Sequence, residues 1–397
     1  MNGRTKGRTN GHTNGHAYDL PMGDSPTLAL VEPTEDEKVA QWTKNAPAWR
    51  GALSTDAYIR REHHLSSQEL TKDGGQTWWI LVDTAAKDRK ALAGCESFRK
   101  KAIVAKDGQI KDVITHGIGS VFSPPEHRGK GYAGRMMQEL GKKLKTWQTS
   151  QKTDCLFSIL YSDIGKKFYA NHGWEPFMSA HISVPAVAEQ PLAAKLPSVK
   201  DLRAEDLPDL CADDVALLRQ RLVDSPADGK MRVAIVPDID TIRWHHSREE
   251  FVGEEFYGDI PVVKGAKVGE EKGKRAWCYW TRMWYNTDKE QSKGNTLHIL
   301  RLVIEDDVVP GAVVPAIAAL LARAQREAAG WHMAEVENWS PTPEVVAAAQ
   351  LLDPKADVIN RDTESIASLM WYGEPLADGQ SVAETIDWVG NEKYGWC

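Results

Sequence analysis

The residues of clearest chemical meaning lie between an apolar stretch that ends at Phe122 and a helical stretch that begins at Tyr132. The connecting segment, SPPEHRGKG, supplies a cation, Arg128, and two glycines, Gly129 and Gly131. Glycines let a backbone approach an anion closely, and a helix N-terminus presents unpaired N–H groups and the positive end of its dipole. The segment is therefore predicted to bind phosphate.

The same glycines permit two other interpretations. Gly129, Gly131 and Gly134 match the dinucleotide pattern G-x-G-x-x-G, and Asp163 follows the next predicted strand, where a ribose ligand would stand. A dinucleotide loop leaves its strand almost directly, whereas here residues 123–128, with two prolines, intervene. A Walker loop fails because its lysine would have to be followed by serine or threonine.

The segment closely resembles the acetyl-CoA pyrophosphate loop of the GNAT acetyltransferases, whose pattern is Arg/Gln-x-x-Gly-x-Gly/Ala. A second GNAT signature, F-Y-x-x-x-G-F/W, is matched further along the chain by residues 168–174. The resemblance implies acetyl-CoA as cosubstrate and no metal. The cofactor-binding residues that it implies are Val121, Phe122, Arg128, Gly129, Lys130, Gly131, Tyr132 and Ala133.

Acetyl transfer to an amine needs a polarised thioester carbonyl, a neutral amine and a protonated leaving thiolate. Removing the proton of a lysine ε-ammonium at pH 7 costs about 4.6 kcal/mol, so a base or a chain of waters must take it. Backbone N–H groups of Val121 and Phe122, where the strand is expected to splay, are predicted to polarise the carbonyl. Tyr169 matches the tyrosine that protonates the thiolate in many GNAT enzymes, and a packing role is the alternative.

Three groups are candidates for the general base. Relatives with a glutamate on the strand before the loop would place it at Thr115 or His116, and neither is a carboxylate. His116 could relay a proton near neutral pH, and Glu96 on the neighbouring strand is the second candidate. The third is the carboxylate of Cys397, because some two-domain relatives thread their C-terminus into the active site. A tail docked for stability is the alternative there.

The order of predicted elements fits the same family. A capping box at Thr34 and Glu37 opens a helical region, and apolar runs predict an antiparallel meander followed by β–α–β–α–β. The resulting fold class is α/β: a GNAT fold with a mixed, splayed central sheet and flanking helices. The strands of this part are predicted at 77–83, 91–104, 113–122, 155–163 and 174–184.

The second half repeats this order of elements without the phosphate loop. Strands are predicted at 275–285 and 296–306, and a helix opens at Pro310, but no Arg-x-x-Gly-x-Ala pattern follows Glu305. We expect a second, degenerate GNAT-like α/β domain that contributes to the substrate site. The predicted divisions are a disordered, low-complexity tail at 1–26, a catalytic acetyl-CoA-binding domain at 27–186, a linker at 187–200 and the second domain at 201–397.

Composition excludes several other classes. The 397 residues are 42% hydrophobic and 26% charged, which is typical of a globular protein. A net charge of −7 gives no reason to expect a nucleic-acid partner, and the five scattered cysteines show no C-x-x-C pair. With no apolar run of membrane-spanning length and no visible signal peptide, a cytoplasmic location is expected.

Three stretches, LVEPTEDEKVAQWTKNAPAWRG, VFSPPEHRGKGYAGRMM and ILYSDIGKKFYANHGW, resemble the fungal L-lysine N-acetyltransferases of lysine catabolism. The resemblance implies direct transfer, in a ternary complex, from acetyl-CoA to the ε-amino group of free L-lysine. Residues 1–190 alone are then expected to bind CoA, if soluble, without acetylating lysine. The alternatives are a detoxifying acetyltransferase for another small amine, a protein-lysine acetyltransferase, and a catalytically silent acyl-CoA-binding interaction module.

Overall fold

The computed structural model describes residues 20–189, 196–375 and 380–396. The strands are β1 Leu28–Val31, β2 Gln76–Asp83, β3 Ala93–Lys106, β4 Gln109–Phe122, β5 Cys155–Ser162, β6 Glu175–Pro176, β7 Ala180–Pro185, β8 Lys200–Leu202, β9 Met231–Ile235, β10 Gly265–Val268, β11 Ala276–Met283, β12 Thr296–Ile304, β13 Glu335–Trp339, β14 Val358–Asn360, β15 Ile366–Trp371 and β16 Ile386–Trp388. The α-helices are α1 Glu35–Trp49, α2 Thr55–Ser66, α3 Tyr132–Leu144, α4 Lys167–Ala170, α5 Leu207–Val223, α6 Ile239–Tyr257, α7 Pro310–Gly330, α8 Pro343–Leu352 and α9 Val382–Thr385.

Two mixed sheets organise these elements. The first has the order β1-β2-β3-β4-β5-β15-β6, with β9 beside β3 and β16 beside β9. The second has the order β14-β7-β13-β12-β11-β10-β8. Each sheet contains a parallel pair of strands joined through a helix: β4 and β5 through α3, and β12 and β13 through α7. The two halves thus share one architectural unit.

The sheets exchange strands across the predicted linker. β15, from the second half of the chain, lies between β5 and β6 of the first sheet. β7, from the first half, lies between β13 and β14 of the second sheet. The ranges 27–186 and 201–397 therefore describe two stretches of sequence that each complete the other's sheet.

Helices cover both faces of the first sheet, and strand alternation decides which side chain meets which helix. Trp79 lies opposite Cys95, and both pack in the core under α3. Their neighbours Trp78 and Glu96 are also paired, so they share the other face, where Trp78 packs against α1 and α2. Glu96 is therefore placed on the α1/α2 face, opposite α3.

Two further findings concern membrane-spanning helices and metal sites. Among the residues that the structure describes, no helix is both long and apolar enough to cross a membrane. Within the same described ranges, no group of three or more His, Cys, Asp or Glu side chains is placed to hold a metal ion.

Candidate active site

The parallel ladder between β4 and β5 ends early. It runs from Ile114 opposite Cys155 to Ile118 opposite Leu160, and β4 continues beyond it to Phe122. The pairing of β3 with β4 is irregular in the same region, between Gly94 and Glu96 of β3. A bulge bends its strand, so β4 diverges from β5 and opens a gap in the sheet.

A cavity of about 480 Å³ occupies this gap and reaches both faces of the sheet. Because the gap lies in the sheet itself, a thioester bound from the α3 face would present its carbonyl to the α1/α2 face. On the α3 face the cavity is lined by Ile118, Ala133, Leu160, Phe168 and Tyr169. On the other face it is lined by Tyr58, Arg61, Glu62, Glu96, Trp244, Arg248 and Trp396.

The predicted phosphate loop borders the cavity. Gly129 and Gly131 have φ values of 78° and 84°, a left-handed conformation that glycine adopts without strain. Gly131 is the N-cap of α3, so the N–H groups of the first helical turn point toward the loop. The side chains of Arg128 and Ala133 line the cavity, whereas that of Tyr132 is buried in the core under α3. Tyr132 can therefore contribute only its backbone to an anion.

The segment before β1 packs against this loop. The N–H of Gly23 donates to the carbonyl of Lys130 at 2.7 Å, and the Tyr132 hydroxyl donates to the carbonyl of Pro21 at 2.5 Å. Arg135 on α3 donates to the Ser25 carbonyl at 3.2 Å. The expectation of a disordered tail over residues 1–26 is therefore wrong for 20–26, while residues 1–19 lie outside the described residues.

Glu96 is buried beside the gap, with 4% of its surface exposed. It accepts hydrogen bonds from the Ser120 hydroxyl at 2.5 Å and from the Gln76 amide. Burial and the negative charge of Glu62 raise the pKa of Glu96 to about 8, against these hydrogen bonds. A carboxyl group with a pKa near the working pH suits a general base. Ser120 reaches Glu96 from a left-handed backbone conformation, with φ 52°, at the bulge.

Tyr169 on α4 lies on the opposite face of the gap, with 7% of its surface exposed. Burial raises the pKa of its phenol, with smaller contributions from Cys95 and Asp163. The phenol therefore keeps its proton at neutral pH. Of the three candidate catalytic side chains within the described residues, Tyr169 and Glu96 line the cavity.

His116 is not brought to this site. Its ring is fully buried, with Nε2 3.2 Å from the Gln148 side-chain oxygen and Nδ1 3.5 Å from the Cys155 sulfur. Burial lowers the pKa of His116 to about 4. It stands on the closed part of the ladder, before the strands diverge, so an amine in the cavity has no short path to it.

The C-terminal segment docks beside the cavity. The Lys100 ammonium donates to the carbonyl of Gly395 at 2.8 Å, and the Tyr394 hydroxyl donates to the carbonyl of Ile235 at 2.8 Å. The Trp396 side chain lines the cavity. Cys397 lies outside the described residues, so its carboxylate stays a prediction.

Two cavity residues, Trp244 and Arg248, belong to α6, a region to which the sequence patterns assigned no element. A third, Tyr285, ends the stretch predicted as a strand at 275–285, but β11 stops at Met283. The sequence indicated this helix only weakly, because α6 is polar on average and its buried face mixes tryptophan, histidine and charged residues. The spacing of four between Trp244 and Arg248 does place both on one helical face.

Comparisons with known proteins agree with this geometry. The family model of the LYC1 GNAT-like C-terminal domain matches residues 181–397, more than half of the chain. The chain belongs to the LYC1-like GNAT family. A lysine acetyltransferase of Yarrowia lipolytica is 27% identical over 274 residues, which cover 59% of this chain and 67% of that protein.

Two solved structures share the fold of this LYC1-like protein. A probable N-acyltransferase of Enterococcus faecalis matches with a TM-score of 0.52 and 15% identity, over 86% of this chain and 72% of that one. The N-myristoyltransferase of Saccharomyces cerevisiae, solved with myristoyl-CoA, matches with a TM-score of 0.50 and 11% identity, over 96% and 87%. These findings confirm the predicted fold and the resemblance to fungal lysine N-acetyltransferases. The protein is a GNAT-type acetyltransferase.

Proposed function

We propose that this protein transfers the acetyl group of acetyl-CoA to the ε-amino group of free L-lysine, directly and in a ternary complex, as a step of lysine degradation in the cytoplasm. The observation that carries the proposal is Glu96, a buried carboxyl group on the cavity, on the face of the sheet away from α3. The name of the Yarrowia relative supports the choice of lysine.

The cofactor is assigned to the loop and the gap. The N–H groups at the start of α3, with Arg128 beside them, offer a site for the pyrophosphate. The thioester would then reach the part of β4 beyond the ladder, where the N–H of Val121 or Phe122 polarises its carbonyl. Gly129, Lys130, Gly131, Tyr132 and Ala133 would complete the cradle through their backbone.

Glu96 and Tyr169 divide the proton transfers. Glu96 takes a proton from the ε-ammonium, and the neutral nitrogen attacks the thioester carbon. The new C–N bond forms, the C–S bond breaks, and the thiolate accepts the proton of the Tyr169 phenol. The amide nitrogen loses its second proton to solvent water, from which the Tyr169 phenolate recovers a proton. The base sits on the acceptor's face of the sheet and the acid on the cofactor's face. An incoming ammonium would stabilise the ionised form of Glu96 and so favour the first step.

The test is an amine screen with acetyl-CoA that follows thiol release, with mass spectrometry to locate the acetyl group. L-lysine should be the preferred acceptor and N-ε-acetyl-lysine the product. Preferential turnover of another small amine would favour the detoxifying alternative, and turnover of lysine within peptides only would favour a protein acetyltransferase. Either result would contradict the proposal.

A further inference from the structure

Arg248 stands out among the charged groups of the cavity. It belongs to α6, and its side chain enters the cavity from the second half of the chain, over the ring of Trp396 at 5.7 Å. Glu96 and Arg248 line the same cavity, together with Tyr58, and we place them on the acceptor's face of the sheet.

Arg248 also lacks a carboxylate partner among the described residues. Its neighbours on α6, Glu249 and Glu250, both pair with Lys264, at 2.9 and 2.7 Å. The nearby Glu62 pairs with Arg61 at 2.7 Å. Among the described residues, no carboxylate lies within 4.0 Å of the Arg248 guanidinium.

Arg248 is half-buried, and the more deeply buried arginines show what the fold normally provides. Arg282 pairs with Glu249 at 2.8 Å, and Arg301 pairs with Asp214 at 2.7 Å. A guanidinium taken out of water without a partner is costly, and burial lowers the pKa of Arg248 to about 10. A binding site is a common reason to keep such a group, because the ligand then supplies the missing charge.

We infer that Arg248 binds the carboxylate of the acceptor, so that the substrate class of this site is a free amino acid with a side-chain amine. The inference rests on the proposed function and deepens it. With the carboxylate on Arg248 and the amine at Glu96, the methylene chain lies along the aromatic wall that Phe98 and Trp244 form, with ring centroids 5.4 Å apart. A lysine within a peptide lacks the free carboxylate and leaves Arg248 unmatched.

The discriminating pair of acceptors is L-lysine and 1,5-diaminopentane, which differ only by the carboxylate. A site built around a charged partner rejects the analogue that lacks it, so wild type should prefer lysine by about 100-fold or more in kcat/KM. In Arg248→Gln this ratio should collapse to within about threefold, through a raised KM for lysine. The KM for acetyl-CoA should stay unchanged. Because the ratio is measured within one preparation, a smaller folded fraction does not change it.

The control is Arg243→Gln, which makes the same substitution at an exposed position of α6. It should keep the wild-type ratio, and Arg248→Lys should lie between the two because a point charge replaces the planar fork. Active Arg248→Gln with an unchanged lysine-to-diamine ratio would overturn the inference and leave the proposed function standing. A wild-type protein that acetylates neither acceptor would overturn both.

Discussion

The two halves of the molecule contain the same strand–helix–strand unit, and among the described residues the two units differ in what lies where their strands diverge. In the first half the parallel ladder ends at Ile118, and in the second half it ends at Ile299. The strand continues past the ladder in both. Each of these strands also has an irregular pairing with its antiparallel neighbour close to that point. The backbones of the two units are therefore alike at the point where the parallel strands of each unit separate.

The two units differ in the groups that contact the backbone beyond the end of the ladder. The N–H of Leu302, three residues beyond the second ladder, donates at 3.0 Å to the side-chain carboxylate of Glu392. Val121 is three residues beyond the first ladder and borders the open cavity. An oxygen of the protein thus occupies, in the second half, the position that we assign to the thioester oxygen in the first.

The connections to the following helices differ in charge as well. Arg128, Gly129, Lys130 and Gly131 precede α3, whereas residues 305–307, all acidic, precede α7. Glu305 is already engaged by the backbone N–H groups of Gly273 and Arg275. The phosphate recognition that we propose would therefore depend on the loop chemistry and not on the fold alone.

The largest expected effect comes from separating the halves. Residues 1–190 lack β15, which pairs with β5, and also β9, which pairs with β3. β7 would also lose both of its neighbours. Exposed strand edges promote aggregation, so we now expect this fragment to be insoluble or to lack a cooperative unfolding transition, measured by calorimetry. A soluble, cooperatively folded fragment that binds CoA would show that the first half is autonomous.

The next effect concerns the phosphate loop. A Cβ at Gly131 would meet the Gly23 Cα at 3.6 Å, an ordinary contact, so Gly131→Asp adds a negative charge without a clash, together with backbone strain at φ 84° that should appear as a lower Tm. Repulsion of the pyrophosphate should weaken CoA binding by about 100-fold or more, measured by titration calorimetry. The matched change in the second half, Gly311→Asp, enters open space near the start of α7 and should leave CoA affinity unchanged. Equal effects of both changes would remove the distinction between the loops.

Two buried carboxylates, one in each half, should differ in how they affect activity and stability. Glu96→Gln should lower kcat by about 100-fold and abolish the rise of activity through about pH 8. The raised pKa means that native Glu96 holds a proton that the unfolded chain releases above its ordinary pKa of 4.5. The free energy of unfolding of wild type should therefore fall between these two pH values. Glu96→Gln should raise Tm at pH 8 but not at pH 4.

Glu249, in the second half, provides the opposite case. Burial would raise the pKa of Glu249, but the charges of Arg282 and Lys264 outweigh it and hold the pKa below its ordinary value. Glu249→Gln should cost about 3 kcal/mol of stability because it leaves those cations unpaired. A Glu96→Gln variant that is equally destabilised at pH 8 would identify Glu96 as a structural carboxylate rather than a base.

The smallest effect is expected for Tyr169→Phe. A thiolate is a weak base that can leave without complete protonation, so kcat should fall by only about tenfold, with the KM for acetyl-CoA little changed. The second-half control is Tyr279→Phe, since Tyr279 is buried and accepts a hydrogen bond from Trp277 away from the cavity. It should affect stability and not kcat. An unchanged kcat in Tyr169→Phe would leave Tyr169 as a packing residue.

Sequence reasoning reached the elements whose signals are local. The loop at Arg128–Gly131 and the strands around it follow from glycine spacing and apolar runs in adjacent residues. Arg248 and the exchange of β7 and β15 could not be found in this way, because they depend on contacts between residues far apart in the chain. His116 looked chemically suitable. The alternation of side chains along a strand does not show which part of the strand is paired and which part borders a cavity, so its burial could not be predicted.

The exchange of strands also governs how the chain reaches its native state. During synthesis β5 emerges from the ribosome long before β15, the strand that pairs along it. Folding of the first sheet must therefore wait until the residues up to Trp388 of β16 have been made. Contacts of such long sequence separation slow folding, and the uncovered edge of β5 is open to wrong partners in the meantime. The candidate active site is thus assembled late, as one of the last products of folding.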